Sequence, residues 1–269
     1  MSVATATATL SRARLRMPGG DLGIKIAAGF IFAVLWQVLV GLFAPAYVAK
    51  PLGILEAIPS VLSSAAFLGA AWSTLWAVAR GLAISIVVGT VIGIAMGRLR
   101  PVDRAFGLYA NGLYAMPMVA ILPLVTLWFG YTNGARMATI VFAAVLSITL
   151  NVADGARSVP PEHIEVARAY RARWYHIWFG VTLPAALPYL LAGIRLAAGR
   201  ALVAAIVSEF FISLEGLGFY ILFNSRTFHH NEAFVAVLLL ALFGVGIELL
   251  LTGATRRFMP WYRRDDRAA

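Results

Sequence analysis

Residues 165–188 read EVARAYRARWYHIWFGVTLPAALP, a charged stretch set between two strongly apolar parts of the chain. Glu165, Arg168, Arg171, Arg173 and His176 follow one another closely, and Leu183-Pro184 and Leu187-Pro188 then lead back into an apolar run. Ionisable groups at bilayer depth are costly unless paired or wetted. The stretch therefore reads as a water-facing connection between two membrane spans, and the rest of the chain can be laid out from it.

The composition agrees. The chain of 269 residues is 61% hydrophobic and 13% charged, with a mean hydropathy of +0.84. Soluble domains carry about 25% charged residues. Too little polar surface is available to cover a water-facing globule, so an integral membrane protein is expected. The formal charge of +10 is spread between apolar runs rather than along one face, which argues against nucleic acid as a partner. Cysteine is absent, which excludes disulfide frameworks, Cys-ligated zinc and iron–sulfur clusters.

Six apolar segments are long enough to cross about 30 Å of hydrocarbon as helices. They lie near 24–44, 71–97, 106–130, 135–153, 186–211 and 233–255. The segment 52–68, LGILEAIPSVLSSAAFL, carries Glu56 and Pro59 and reads as a short amphipathic helix at the interface. The first apolar run exceeds the ~7–15 residues of a signal-peptide core, and Pro45 interrupts the Ala44–Ala46 cleavage-like site. An uncleaved first span is expected.

Basic residues are retained on the cytoplasmic side. With the N-terminus inside, the inner segments hold Arg12, Arg14, Arg16, Lys25, Arg98, Arg100, Arg104, Arg157, Arg168, Arg171, Arg173, Arg256, Arg257, Arg263, Arg264 and Arg267. The outer segments hold only Lys50, Arg136 and Arg226. Both termini and the stretch 165–188 are therefore expected in the cytoplasm.

Within this cytoplasmic connection, Ser158-Val159-Pro160-Pro161-Glu162 looks like a helix start, since Pro suits the first turn and an early Glu complements the helix dipole. A short helix is expected from Pro161 to Tyr170 and a second from Trp174 to Val181. Pro184 then marks the beginning of span five, because Pro is tolerated in a first turn but not in a helix interior. Taken alone, the segment could be an interfacial loop with Trp174, Tyr175 and Trp178 at the headgroups.

The series Glu165-x-Ala167, followed by Ile177, Leu183 and Pro184, resembles the "EAA" signature of ABC importer permeases. The similarity extends to TLWAVARGLAISIVVGTVIGIAMG (74–97), AMPMVAILPLVTLWFG (115–130), LNVADGARSVPPEHIEVARAY (150–170), LPYLLAGIRLAAGRALVAAIVSEFF (187–211) and the Gly216-Leu217-Gly218 turn, in the family's order. The nearest subgroup looks like the permeases of nitrate, sulfonate, taurine and related small-organic importers. The resemblance implies an all-α type I importer (MetI-like) permease fold. It also implies coupling helices at about 160–182 that dock on a separate ATPase dimer, a periplasmic or lipid-anchored substrate-binding protein, and a second permease copy. The coupling contacts implied are Glu165, Ala167, Arg168, Arg171, Ala172, Ile177, Leu183 and Pro184. The division of the chain becomes a cytoplasmic tail (1–23), a first span with the outer amphipathic segment (24–70), the permease core (71–255) and a cytoplasmic tail (256–269). The resulting location is a bacterial inner membrane.

Arg171 departs from the signature, which has glycine there to supply a left-handed turn between the two short helices. Either arginine occupies that turn at some cost, or the turn is remodelled, or the docking partner is specialised. Glu165 offers a carboxylate for a charge-assisted contact with a basic partner residue; the alternative is a surface pair with Arg168 or Arg171, worth about 0–1 kcal/mol.

Inside the membrane, pathway candidates are Pro117 and Pro123, both expected to break span three, Asn151 near the inner end of span four as a cross-helix hydrogen-bonding group, and Arg200, Ser208 and Glu209 in span five. Arg80, Arg195, Arg200 and Glu248 read alternatively as structural ion pairs. No metal site is expected, because His163, His176, His229 and His230 lack ligand spacing. No G-x-x-x-x-G-K-[ST] loop surrounds Lys25 or Lys50, so ATP and magnesium are expected on the partner ATPase and this chain is not an enzyme. An autonomous secondary transporter or channel is the competing class, but the internal repeats it would show are not evident.

Overall fold

The computed structural model describes residues 20–43, 45, 48–212 and 215–258. Arg12, Arg14, Arg16, Arg263, Arg264 and Arg267, the two alanines of the Ala44–Ala46 site, and most of both predicted tails lie outside the described residues. The secondary structure among the described residues is helical: α1 (Gly20–Phe43), α2 (Pro51–Ser63), α3 (Ala65–Arg98), α4 (Arg100–Ala115), α5 (Met118–Phe129), α6 (Asn133–Arg157), α7 (Pro161–Ala169), α8 (Trp174–Ile177), α9 (Leu183–Ile212), α10 (Leu217–Arg226) and α11 (His230–Phe258).

α6 forms the centre, packed along α3 on one side and α9 on the other. The sequence explains how these helices come so close. Gly81, Ser85, Gly89, Gly93 and Gly97 recur every fourth residue on the face of α3 that meets α6. A Cβ on Gly81 would lie 2.4 Å from Ile140 Cγ2, and one on Gly93 would lie 2.7 Å from the Thr149 carbonyl oxygen. The facing surface of α9 is an alanine row, with Ala197, Ala201, Ala204 and Ala205 buried. In lipid no hydrophobic gain favours one apolar surface over another, so small residues that admit close backbone packing hold helices together.

A second core lies beneath α2, where Ile54 and Val61 meet Phe67, Leu217, Val235 and Ala236. The short helix expected over 52–68 ends earlier: α2 stops at Ser63, with Pro51 at its first position and Pro59 inside it without breaking it, and 65–68 begin α3. α1 stays at the periphery. None of its most apolar window is buried; it is tied in by Gln37 Oε1, which accepts from the Leu52 N–H (3.2 Å), and by a Trp36–Phe234 ring contact at 5.5 Å.

Among the described residues, five helices are long and apolar enough to span a bilayer. The third span, expected over 106–130 with breaks at Pro117 and Pro123, is a pair of helices, α4 and α5, that meet at a 108° bend; taken as one crossing, the pair would make a sixth span. The cause of the bend is Pro117. A proline pushes the preceding residue out of the helical region, and Met116 accordingly has ψ 132° while Pro117 caps α5. Pro123, by contrast, sits inside α5 without breaking it.

The other proline pair acts differently. Trp174–Ile212 runs as one helical rod, with a π-helical turn at Trp178–Thr182. Pro184 has no N–H to give the i−4 carbonyl. Upstream the ladder widens instead, and the Leu183 N–H donates to the Trp178 carbonyl five residues back. The predicted second short helix is therefore continuous with span five rather than hinged to it.

Candidate functional site

The end of the bundle between α6 and α9 is an elbow made by α7 and α8. Val159, Ile164 and Ile177 form its small buried core, with Ala167, Ala172 and Val181 against it. The outer face of α7 carries Glu165 and Arg168, both exposed. Glu165 makes no ion pair among the described residues, so the surface pairing with Arg168 or Arg171 is not formed. Leu183 packs into the main core and Pro184 is exposed at the first turn of α9.

Arg171 adopts φ 54°, the left-handed conformation the glycine of the signature would supply. The Ala172 N–H donates to the Ala167 carbonyl (3.0 Å) and the Arg171 N–H to the Arg168 carbonyl (2.8 Å). These are the two bonds of a Schellman closure, and Ala172 and Ala167 supply the apolar contact that accompanies it. The backbone takes the left-handed turn with a residue poorly suited to it. A non-glycine residue there costs about 1–2 kcal/mol. Arg171→Gly is expected to raise stability by about 1 kcal/mol, seen as a higher Tm of the purified chain; an unchanged or lower Tm would show that the arginine side chain offsets the strain.

The second cluster lies about 39 Å away along α9, from the 26 residues between Leu183 and Glu209 at 1.5 Å each. The Glu209 carboxylate is fully buried. It accepts from Thr74 Oγ1 (2.8 Å), from Arg136 Nη1 (3.2 Å) and from the Gly218 N–H (2.8 Å). Thr74 Oγ1 in turn accepts from the Leu217 N–H (2.8 Å), and Arg136 Nη1 reaches Ser73 Oγ and the Glu215 carbonyl, each at 3.2 Å. Thus α3, α6 and α9 are tied to the start of α10 through one carboxylate. The glycines of Gly216-Leu217-Gly218 make room for it: a Cβ on Gly216 would stand 2.3 Å from Glu209 Cδ.

Arg136 is the residue the sequence did not place. Counted as an outer-loop charge, it is instead buried in the first turn of α6. A signal existed. Thr132 caps that helix, its Oγ1 accepting from the Gly134 N–H, and a cation in a first turn opposes the helix dipole. Such a residue needs an acidic partner, and Glu209 is the only acidic residue of span five. Thr74 and Ser73 carry no comparable signal.

The other membrane candidates separate. Asn151 Nδ2 donates to the Ser147 carbonyl of its own helix (2.8 Å), not across helices, and its Cβ lies where a Cβ on Gly193 of α9 would meet it, at 3.0 Å. Ser208 likewise bonds back to Ala205 (2.7 Å). Arg195 pairs with Glu248 (3.1 Å), an ion pair of the kind anticipated, and exposed Arg80 lies over Trp76. Arg200 lies about 13 Å from Glu209 along the axis, nine residues at 1.5 Å. It faces the broken corner of α4 and α5, with Cζ 3.6 Å above the Tyr114 ring and Nη1 donating to the Tyr114 carbonyl (3.2 Å). There it borders a cavity of about 550 Å³ shared with Met116 and Pro117. Pro123 is on the exposed side of α5, away from this lining.

A family model described as binding-protein-dependent transport system inner membrane component matches residues 85–264. The chain is 28% identical over 240 residues to the taurine transport system permease protein of Escherichia coli (strain K12), covering 86% of each. It is 28% identical over 193 residues to the formylaminopyrimidine transport permease protein of Halalkalibacterium halodurans, covering 72% of this chain and 77% of that one. Its fold is similar to that of a chain in the crystal structure of an amino acid ABC transporter, with a TM-score of 0.60, 18% identity, and coverage of 78% of this chain and 99% of that one.

Proposed function

The chain belongs to the family of binding-protein-dependent transport system inner membrane components, and from that premise we propose how it is coupled, what it partners and what it carries. It is the permease subunit of an ABC importer and a multi-pass membrane protein. A solute-binding protein delivers a small organic compound of the sulfonate, taurine or nitrate type at the outer face. A pair of ATPase subunits, which hold the ATP and magnesium, docks on α7 and α8 at the cytoplasmic face. A second copy of the chain completes the pathway, and both termini are cytoplasmic. Residues 71–255 act as the permease core, with 24–70 as a peripheral span and interfacial helix.

The observation that carries the coupling is the rigid elbow. A docking element moves a membrane helix only if force passes between them without being absorbed. Here α7 is locked to the connection by the Schellman closure, and α8 continues through the π-helical turn into α9. Displacing the elbow therefore displaces α9, and with it Arg200 and the Glu209 cluster. The contacts proposed for the ATPase are Glu165, Arg168 and Arg171 on the exposed face, with Ala167, Ala172 and Ile177 supporting it from below and Leu183-Pro184 transmitting the motion.

Reconstitution tests this. The chain is placed in liposomes with the ATPase and binding protein of its own transport system. Uptake of the solute held by that binding protein should require ATP and all three components. Solute flux from the isolated chain alone would overturn the reading in favour of an autonomous transporter or channel.

A further inference from the structure

Arg200 is at the middle of α9, where an unpaired cation is expensive. Other arginines of α3, α6 and α9 away from the helix ends at Arg98 and Arg157 are provided for differently. Arg136 has Glu209, Arg195 has Glu248, and Arg80 is exposed over Trp76. Half-buried Arg200 has no acidic partner among the described residues. Its contacts are one carbonyl and one ring face, both from Tyr114. A guanidinium carries five N–H donors in a planar fork that suits two oxygens of an oxyanion, and only Nη1 is engaged here.

The space beside it has the right form. The cavity of about 550 Å³ is bordered by Tyr114, Met116, Pro117, Leu146 and Val203, with Arg200 as its charged member. It exists because the break at Pro117 turns α5 away from α4. Irregular backbone at membrane depth persists where it is buried in protein or lines a cavity. Pro117 and Met118 line this one, so the first turn of α5, with its positive dipole end, opens onto the same space.

We propose that this cavity is a membrane-embedded subsite for the oxyanion head of the transported solute, a sulfonate or carboxylate, with Arg200 as its ligand and Tyr114 holding the guanidinium in place. The proposal rests on the permease reading for its direction of transport. The solutes in the relatives' names, taurine and a formylaminopyrimidine, differ in whether they carry such a head, so the cavity chemistry makes the choice.

Because the chain has no cysteine, a single Met116→Cys provides a reporter; Met116 is 42% exposed and borders the cavity. Labelling by a neutral maleimide is followed in phosphatidylcholine nanodiscs, which excludes anionic lipid as the source of the anion. Methanesulfonate at saturating concentration should slow labelling about tenfold by mass action, while dimethyl sulfone, its neutral counterpart, should leave the rate unchanged. In an Arg200→Gln background the protection should be lost; in Arg200→Lys it should persist at higher anion concentration. Equal effects of anion and sulfone, or protection that survives Arg200→Gln, would overturn the proposal, and the sulfone arm decides even if the glutamine variant does not fold. No ATPase enters this measurement. ATP-driven uptake without anion protection therefore removes only the subsite, whereas protection without ATP-driven uptake removes the permease reading.

Discussion

Replacing Arg136 by methionine should destabilise the folded chain by about 3–5 kcal/mol, the usual loss when one partner of a buried ion pair is removed. The size follows from what remains. Glu209 is fully buried and Arg136 is 5% exposed, so the orphaned carboxylate gains no water. It keeps the Thr74 hydroxyl and the Gly218 N–H but loses its counter-charge. Gly216 and Gly218 pack against its side chain, so it has no room to turn away. Glu209→Gln in the same background removes the charge and leaves an amide oxygen for both remaining donors, and most of the loss should return. The coupling energy between the two substitutions should reach about 2 kcal/mol or more, within the range for residues of one network. Reversible unfolding of the four chains in mixed micelles measures it. Additive effects would mean that the two charges are independent, and the clamp between α9 and α10 would then have to rest on the Thr74 hydroxyl and the Gly218 N–H.

This clamp shows where the sequence speaks and where it stops. The long apolar helices, the short α2 and the two short helices α7 and α8 are legible because each rests on a local rule: apolar length, a proline in the first turn, a cap. The left-handed turn at Arg171 comes from the resemblance to the signature rather than from a local rule, which leaves a remodelled turn open; the backbone keeps the turn. What local rules do not supply is pairing between helices. Thr74, Arg136 and Glu209 are 62 or more residues apart from their neighbours in the chain, and only the α3–α6–α9 packing brings them together. The break expected in the third span is legible only in part. Two prolines lay in one apolar run, and hydropathy registers neither which of them bends the chain nor by how much. Pro117 does so because Met116 before it leaves the helix, whereas Pro123 is accommodated within α5.

Glu165→Lys should leave the fold intact and disable the transporter. The side chain is exposed and unpaired among the described residues, so the reversal should change stability by no more than about 0.5 kcal/mol. Its effect appears only when the ATPase docks. There the substitution removes a charge-assisted contact and sets a cation against the basic group the carboxylate would have met. Disrupting such an interfacial pair costs about 2–5 kcal/mol, and each 1.4 kcal/mol is a factor of ten in affinity. The variant should therefore bind the ATPase at least ~20-fold more weakly and lose ATP-driven uptake, with an unchanged Tm. Glu165→Gln should fall between, since it keeps a hydrogen-bond acceptor and introduces no repulsion. Raising the salt concentration should weaken binding of the native chain more than that of the glutamine variant, because screening acts on the charge. Normal uptake by the lysine variant would place the docking contact elsewhere on the elbow, at Arg168 or Arg171. The rigid connection of α8 to α9 would be unaffected by that outcome, since it depends on backbone bonds at Trp178 and Leu183 and not on what α7 presents to its partner.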